Sequence, residues 1–116
     1  MKVEDIFITE LDKTIRFYIG KDKHENFEII DCADKEDIWF HANTVSSCHV
    51  VCETPLGLDE NDLIYIIRLG GMLCKMNTNK LKACKNVEII YTKIKNVKKT
   101  KVVGCVITQH TKTVIC

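Results

Sequence analysis

Two histidines and the only tryptophan stand close together in Asp37-Ile38-Trp39-Phe40-His41-Ala42 and the following Ser46-Ser47-Cys48-His49-Val50-Val51-Cys52. These residue types admit three chemistries. Cys48, His49 and Cys52 beside His41 carry the donor atoms of a zinc site, but a structural zinc needs four ligands gathered by suitably spaced pairs. On an extended chain Cys48 and Cys52 share one strand face and His49 takes the other, and no CxxC pair exists. No metal and no other cofactor is assigned. Nucleophilic catalysis needs an activated thiol or hydroxyl beside a base. Ser46, Ser47, Cys48 and His49 are successive strand residues and point apart. His41 and His49 could form an acid–base pair, yet nothing in the chain supplies a third, orienting group. A small His-dependent nuclease or hydrolase is the weakest reading, and no catalytic residue is assigned.

The third chemistry is recognition of a polyanion. Lys93, Lys95, Lys98, Lys99 and Lys101 fall within nine residues, with Ile94 and Val97 as the only apolar anchors. Lysines of this kind act as point charges for phosphates and give salt-dependent, sequence-tolerant affinity. Lys75, Lys80, Lys82 and Lys85 extend the run, and Trp39 and Tyr91 are the aromatic rings on which a base could stack. Aromatic content of 7% is too low for a surface that stacks many bases. The competing reading of the lysine run is a solvated turn. A phosphate-cradling loop is absent, since Gly20, Gly57 and Gly70-Gly71 make no glycine-rich fingerprint.

Length and composition fit one domain, 1–116, with one hydrophobic core. At 46% hydrophobic and 28% charged residues the chain belongs with soluble globular proteins rather than disordered ones. The longest apolar run, Leu63 to Leu73, is too short for a membrane span and contains Arg68, so no membrane partner is expected. No secretory signal leads the sequence. Seven cysteines, an odd number without an export signal, read as reduced thiols of a cytoplasmic protein. Residues 1–62 hold 15 acidic and 6 basic side chains, a net of −9, whereas residues 63–116 hold 1 acidic and 11 basic, a net of +10. Either the basic half meets an anionic partner or the halves neutralise one another.

The elements that must position these residues follow from periodicity. Ile6 to Ile8 and Thr14 to Ile19 read as strands joined by a hairpin turn over Glu10 to Lys13. Gly20 to Asn26 reads as a polar loop, and Phe27 to Ala33 as either strand or helix. Asp37 to Ala42 and Cys48 to Glu53 alternate as two strands around a turn at Asn43 to Ser46. If they pair so that Ile38 and Phe40 lie beside Val50, then His41 and His49 reach a common face near Trp39. Asp59 is a helix N-cap, and the apolar residues from Leu63 to Leu73 cover most of a helix surface, as in a buried helix. Gly70-Gly71 inside it implies close approach to the sheet. Val87 to Thr92, Val102 to Thr108 and Thr113 to Cys116 supply further strands. The fold class is α+β: a mostly antiparallel sheet of short strands packed on one main buried helix, about residues 59–76.

Three blocks of the sequence resemble a known family. Asp37-Ile38-Trp39-Phe40-His41 with Ser47-Cys48-His49-Val50 resembles the D-x-W-F-H … S-x-H-V core of the NFACT-R domain. Gly20-Lys21-Asp22-Lys23-His24-Glu25-Asn26 resembles the loop before that core. Tyr91-Thr92, Asn96-Val97-Lys98-Lys99-Thr100 and Gly104 resemble its basic end. The blocks occur in the family's order across residues 14–108 and look most like its small standalone members, the coiled-coil-domain-containing protein 25 type. Those relatives continue into a charged coiled coil where this sequence stops. The resemblance implies a compact module, not an enzyme, that contacts RNA ahead of DNA, with tRNA or the ribosome as partner. It carries over Lys21, Asn26, Trp39, His41, His49, Lys98 and Lys99, and the basic run adds Lys93, Lys95 and Lys101. The alternative is a protein-interaction adaptor in translation and ribosome quality control that binds through exposed strand edges.

Overall fold

A computed structural model describes residues 1–116. In chain order the strands and helices are β1 (Lys2–Ile8), β2 (Lys13–Gly20), α1 (Lys23–Asp31), β3 (Ile38–Ala42), β4 (His49–Cys52), α2 (Glu60–Met76), β5 (Glu88–Lys93), β6 (Val97–Lys99), β7 (Val106–Thr108) and β8 (Lys112–Ile115). Short 3₁₀ turns at Thr9–Leu11 and Ile94–Asn96 link β1 to β2 and β5 to β6. Six strands form an antiparallel sheet in the order β1-β2-β4-β3-β5-β8, and β6 and β7 form a separate hairpin. The α+β class and the main helix stand as expected from the sequence. No helix is long and apolar enough to cross a membrane.

Strand alternation sends two sets of residues to opposite sheet faces. Phe17, Ile19, Phe40, Val50 and Ile89 meet Ile66, Ile67 and Cys74 of α2 in the larger core cluster. Trp39 and Val51 turn the other way and meet Ile29 and Ile30 of α1 and Ile94 in the smaller one. Removing a side chain of this size from water contributes roughly 1.5–3 kcal/mol each, so both faces hold the centre of the sheet together. Gly70 lets α2 come down onto it: a Cβ there would overlap the Phe40 ring, and one on Gly71 would lie 2.6 Å from the Cys116 sulfur. Helix α2 is capped as read, with the Asp59 carboxylate accepting from the Asp62 amide.

Two expectations require correction, and one left open is decided. The stretch from Gly20 to Asn26 is not a loop: Gly20 ends β2 and α1 is under way from Lys23. Its N-cap is Asp22, whose carboxylate accepts from the amides of His24 and Glu25 at 3.0 and 2.8 Å. The Glu25 side chain reaches back to accept from the Lys21 amide at 3.0 Å, one residue before the N-cap, so the spacing Asp22-x-x-Glu25 acts as a variant of the capping box. Of the two readings open for Phe27 onward, helix is the one present through Asp31, and α1 is a second helix, on the sheet face opposite α2. Finally, Val102 to Thr108 is not one strand. Thr100 to Cys105 forms the hairpin tip, held by Thr100 Oγ1 donating to the Cys105 carbonyl at 2.9 Å. Gly104 makes that tip possible. Its φ is +85°, and a Cβ there would lie 2.6 Å from Lys23 Cβ, so the tip rests on the first turn of α1.

Candidate nucleic-acid interface

The β3–β4 register places Trp39 opposite Val51 and Phe40 opposite Val50, which brings His41 across from His49 on the α1 face. The pairing inferred from alternation is the one present. The two imidazoles lie edge to face, 4.8 Å between centroids at 84°. His41 is stacked on Trp39, the rings parallel to within 1° and 5.7 Å apart. The Trp39 indole N–H donates to His49 Nδ1 at 3.1 Å. That bond needs a lone pair on Nδ1, so His49 is the neutral tautomer with its proton on Nε2. Burial pushes the His49 pKa down to about 3, with His41 acting in the same direction. His41 is also lowered, first by burial, with Lys80 adding to it.

A polar cleft of about 660 Å³ opens beside this pair where four segments meet. The corner from β2 into α1 brings Lys21, Lys23 and Asn26, and the turn into β4 brings Ser46, Ser47 and His49. The segment after α2 brings Asn77 to Lys80, and the β6–β7 tip closes the side with Val103 to Cys105. Asn26 is 7% exposed, and its Oδ1 accepts from the His49 amide at 3.2 Å. Gly20 leaves room for it, since a Cβ there would lie 2.6 Å from that oxygen. Lys21, Lys23 and Lys80 are exposed, and none is engaged by a carboxylate.

The sequence-derived site residues divide into groups. Lys21, Asn26, His41 and His49 line this one cleft. Trp39 does not offer its face to a base: it is 1% exposed, with Ile29, Ile30 and Ile94 around it. Its place is behind the histidines, as a support. Tyr91, the other ring named for stacking, faces α2, 6.2 Å from Phe40. Three of the five lysines in the basic run are engaged by carboxylates. Lys93 and Lys95 both pair with Glu36, at 2.9 and 3.0 Å, and Lys99 pairs with Asp31 and sits over the Phe27 ring. These acids come from the acidic half, so that part of the charge asymmetry is neutralised internally. Lys98 and Lys101 are exposed and without an ion pair but lie outside the cleft wall. Lys23 was missed as a site residue, and the Asp22-x-x-Glu25 spacing was the signal that could have placed it at the start of a helix.

Two cysteines near the site tie elements together. Cys48 and Cys74 each donate to the other's carbonyl, at 3.3 and 3.4 Å, and join β4 to the last turn of α2. Contact with Cys74 brings the Cys48 thiol down to about 7, helped by Thr78 and the charge of Lys21, while Cys74 is pushed up by the same contact and by burial.

Comparison with known proteins places this geometry in a family. The chain is 39% identical over 85 residues to coiled-coil domain-containing protein 25 of Danio rerio, covering 72% of this chain and 41% of that protein. It is 36% identical over 98 residues to the Dictyostelium discoideum homologue, covering 82% and 47%. The chain thus spans less than half the length of these curated relatives. Its backbone superimposes on the C-terminal part of the fibronectin/fibrinogen-binding protein of Streptococcus suis with a TM-score of 0.79, covering 99% of this chain and 45% of that one. At 23% identity this speaks for the fold alone. A family profile described as NFACT protein RNA binding domain matches residues 5–111. The chain therefore belongs to the NFACT-R family of RNA-binding domains.

Proposed function

We propose that this chain is a non-catalytic module that binds RNA in the cleft of Lys21, Lys23, Asn26, His41, His49 and Lys80. Lys98 and Lys101 then flank the path of the strand rather than form its centre. One observation carries the reading: the three cleft lysines have no carboxylate partner, whereas Lys93, Lys95 and Lys99 are each engaged by one. Asp22 is the one acid of the cleft, and its carboxylate is turned to the α1 amides. Family membership supplies RNA as the ligand class. The family's setting in ribosome quality control directs the choice to tRNA or ribosomal RNA and to the cytoplasm.

A salt titration tests it. Three phosphate contacts on a single strand give a log–log slope near about −2. Changing Lys21, Lys23 and Lys80 together to Glu is expected to cost at least tenfold in affinity and to flatten that slope. Affinity indifferent to salt and to these changes would refute the reading.

A protein-adaptor reading has its own support in the β1 edge of the sheet, where Val3 and Phe7 are 46% and 57% exposed. Capture of a translation partner that survives nuclease and is lost in Phe7→Ser would favour it.

A further inference from the structure

The floor of the cleft is more selective than its lysine rim. His49 is 2% exposed and Asn26 7%, and each has one polar atom held by the protein. His49 Nδ1 accepts from Trp39, and Asn26 Oδ1 accepts from the His49 amide. The remaining atoms, His49 Nε2–H and the Asn26 Nδ2 amide, are donors, and neither has a protein partner. No fully buried side-chain nitrogen or oxygen is without one, so neither donor is sealed off, and both residues line the cleft.

Two hydroxyls of the floor are already spent. Ser47 Oγ accepts from the Ala42 amide at 2.9 Å and donates to the Cys48 carbonyl at 2.9 Å. Thr78 Oγ1 accepts from the Cys48 amide at 3.1 Å and donates to the Cys74 carbonyl at 2.9 Å. The two free atoms of the buried pair, His49 Nε2–H and Asn26 Nδ2, give hydrogen bonds and neither takes one. Every Watson–Crick edge carries at least one N–H that would meet no acceptor from these two groups. An oxyanion meets no such mismatch, and the three lysines above favour it further. Neutral His49 keeps its donor at neutral pH, because its other nitrogen is tied to Trp39.

From this we infer that the cleft floor is a phosphoryl seat, in which His49 Nε2–H and Asn26 Nδ2 hold the oxygens of one phosphate while the lysines supply the field. The inference rests on the RNA-binding reading above and sharpens it, because it has the protein grip the strand by a phosphate at this point and not by a base. The phosphate can belong to the internal backbone or to a strand end.

Asn26→Asp is the informative change, since Asp keeps an oxygen for the His49 amide, loses the donor and puts a negative charge where the seat would hold a phosphate. Its binding is to be measured on a short unstructured RNA with and without a 5′-phosphate, alongside ¹⁵N-detected signals of the His49 ring. The seat predicts a downfield move of His49 Nε2–H on adding inorganic phosphate or the RNA. It also predicts at least tenfold weaker RNA binding by Asn26→Asp, with an unchanged circular dichroism spectrum. Equal affinity for the two RNAs assigns the seat to a backbone phosphate, and tighter binding of the 5′-phosphorylated strand assigns it to an end. A His49 ring signal that ignores both ligands, with Asn26→Asp binding like wild type, overturns the seat. If the lysine changes still abolish binding in that case, the cleft survives as the RNA site and only the seat falls.

Discussion

The Trp39 indole N–H lies 3.1 Å from His49 Nδ1, and this one bond decides what His49 can offer to a ligand. Tryptophan has a donor and no acceptor, so its partner nitrogen must carry a lone pair. The proton of His49 is thereby fixed on Nε2, the atom without a protein partner. Buried itself, Trp39 thus sets the tautomer of a histidine that lines the cleft.

Trp39→Phe should therefore act in two ways. It keeps most of the apolar volume that meets Ile29 and Ile30 but leaves Nδ1 of a buried imidazole without its donor. Chemical denaturation should show a loss of about 1–3 kcal/mol. The His49 ring ¹⁵N pattern should pass from a single Nε2–H tautomer to a mixture, a change that a purely packing role for Trp39 would not produce.

Acid should destabilise the fold before the carboxylates titrate. His49 falls from an ordinary value near 6.5 to about 3 in the folded chain, and His41 is lowered in the same direction. Between those values the unfolded state binds more protons, so the stabilisation is fully present above pH 6.5 and is lost as pH falls toward 3. From pH 7 to pH 5 the His49 share is roughly 2 kcal/mol. Urea midpoints at the two pH values measure it, and His49→Gln should remove most of the difference.

Gly70→Ala adds a single methyl where α2 lies on Phe40, a rigid ring that is itself fully buried. Overpacking of this kind costs roughly 1–3 kcal/mol. Gly71→Ala should cost less, because its nearest neighbour is the end of the half-buried Cys116 side chain. Thermal midpoints of the two variants give the comparison, and equal loss would contradict the packing described.

The basic run should be less sensitive to mutation than its charge suggests. Lys93→Ala and Lys95→Ala each remove one of the two partners of Glu36 at the surface, and surface pairs contribute little. Each should change RNA affinity by less than about threefold, against a larger loss for Lys21→Ala or Lys80→Ala in the same salt.

The pairing of β3 with β4 and the course of α2 were legible because their patterns are strictly local. Alternation from Ile38 to His41 fixes which residues share a face, and the apolar run after Asp59 fixes a buried helix. Helix α1 was harder to see: Lys21 to Asn26 is polar and led by Gly20, which reads as loop unless the capping spacing of Asp22 and Glu25 is weighed above composition. The burial of Trp39 followed from that omission, since α1 is what covers the second face of the sheet. The pairing of Lys93, Lys95 and Lys99 with Glu36 and Asp31 was beyond the sequence, because it joins residues at least 57 positions apart across the fold.

Amide chemical-shift mapping on addition of an RNA oligonucleotide tests the central claim most directly. The account predicts that the largest changes fall on Lys21, Asn26, His41, His49, Lys80 and Gly104, with the β1 and β8 edges of the sheet unmoved. Changes confined to Lys93–Lys101, or to the β1 edge at Val3 and Phe7, would contradict it.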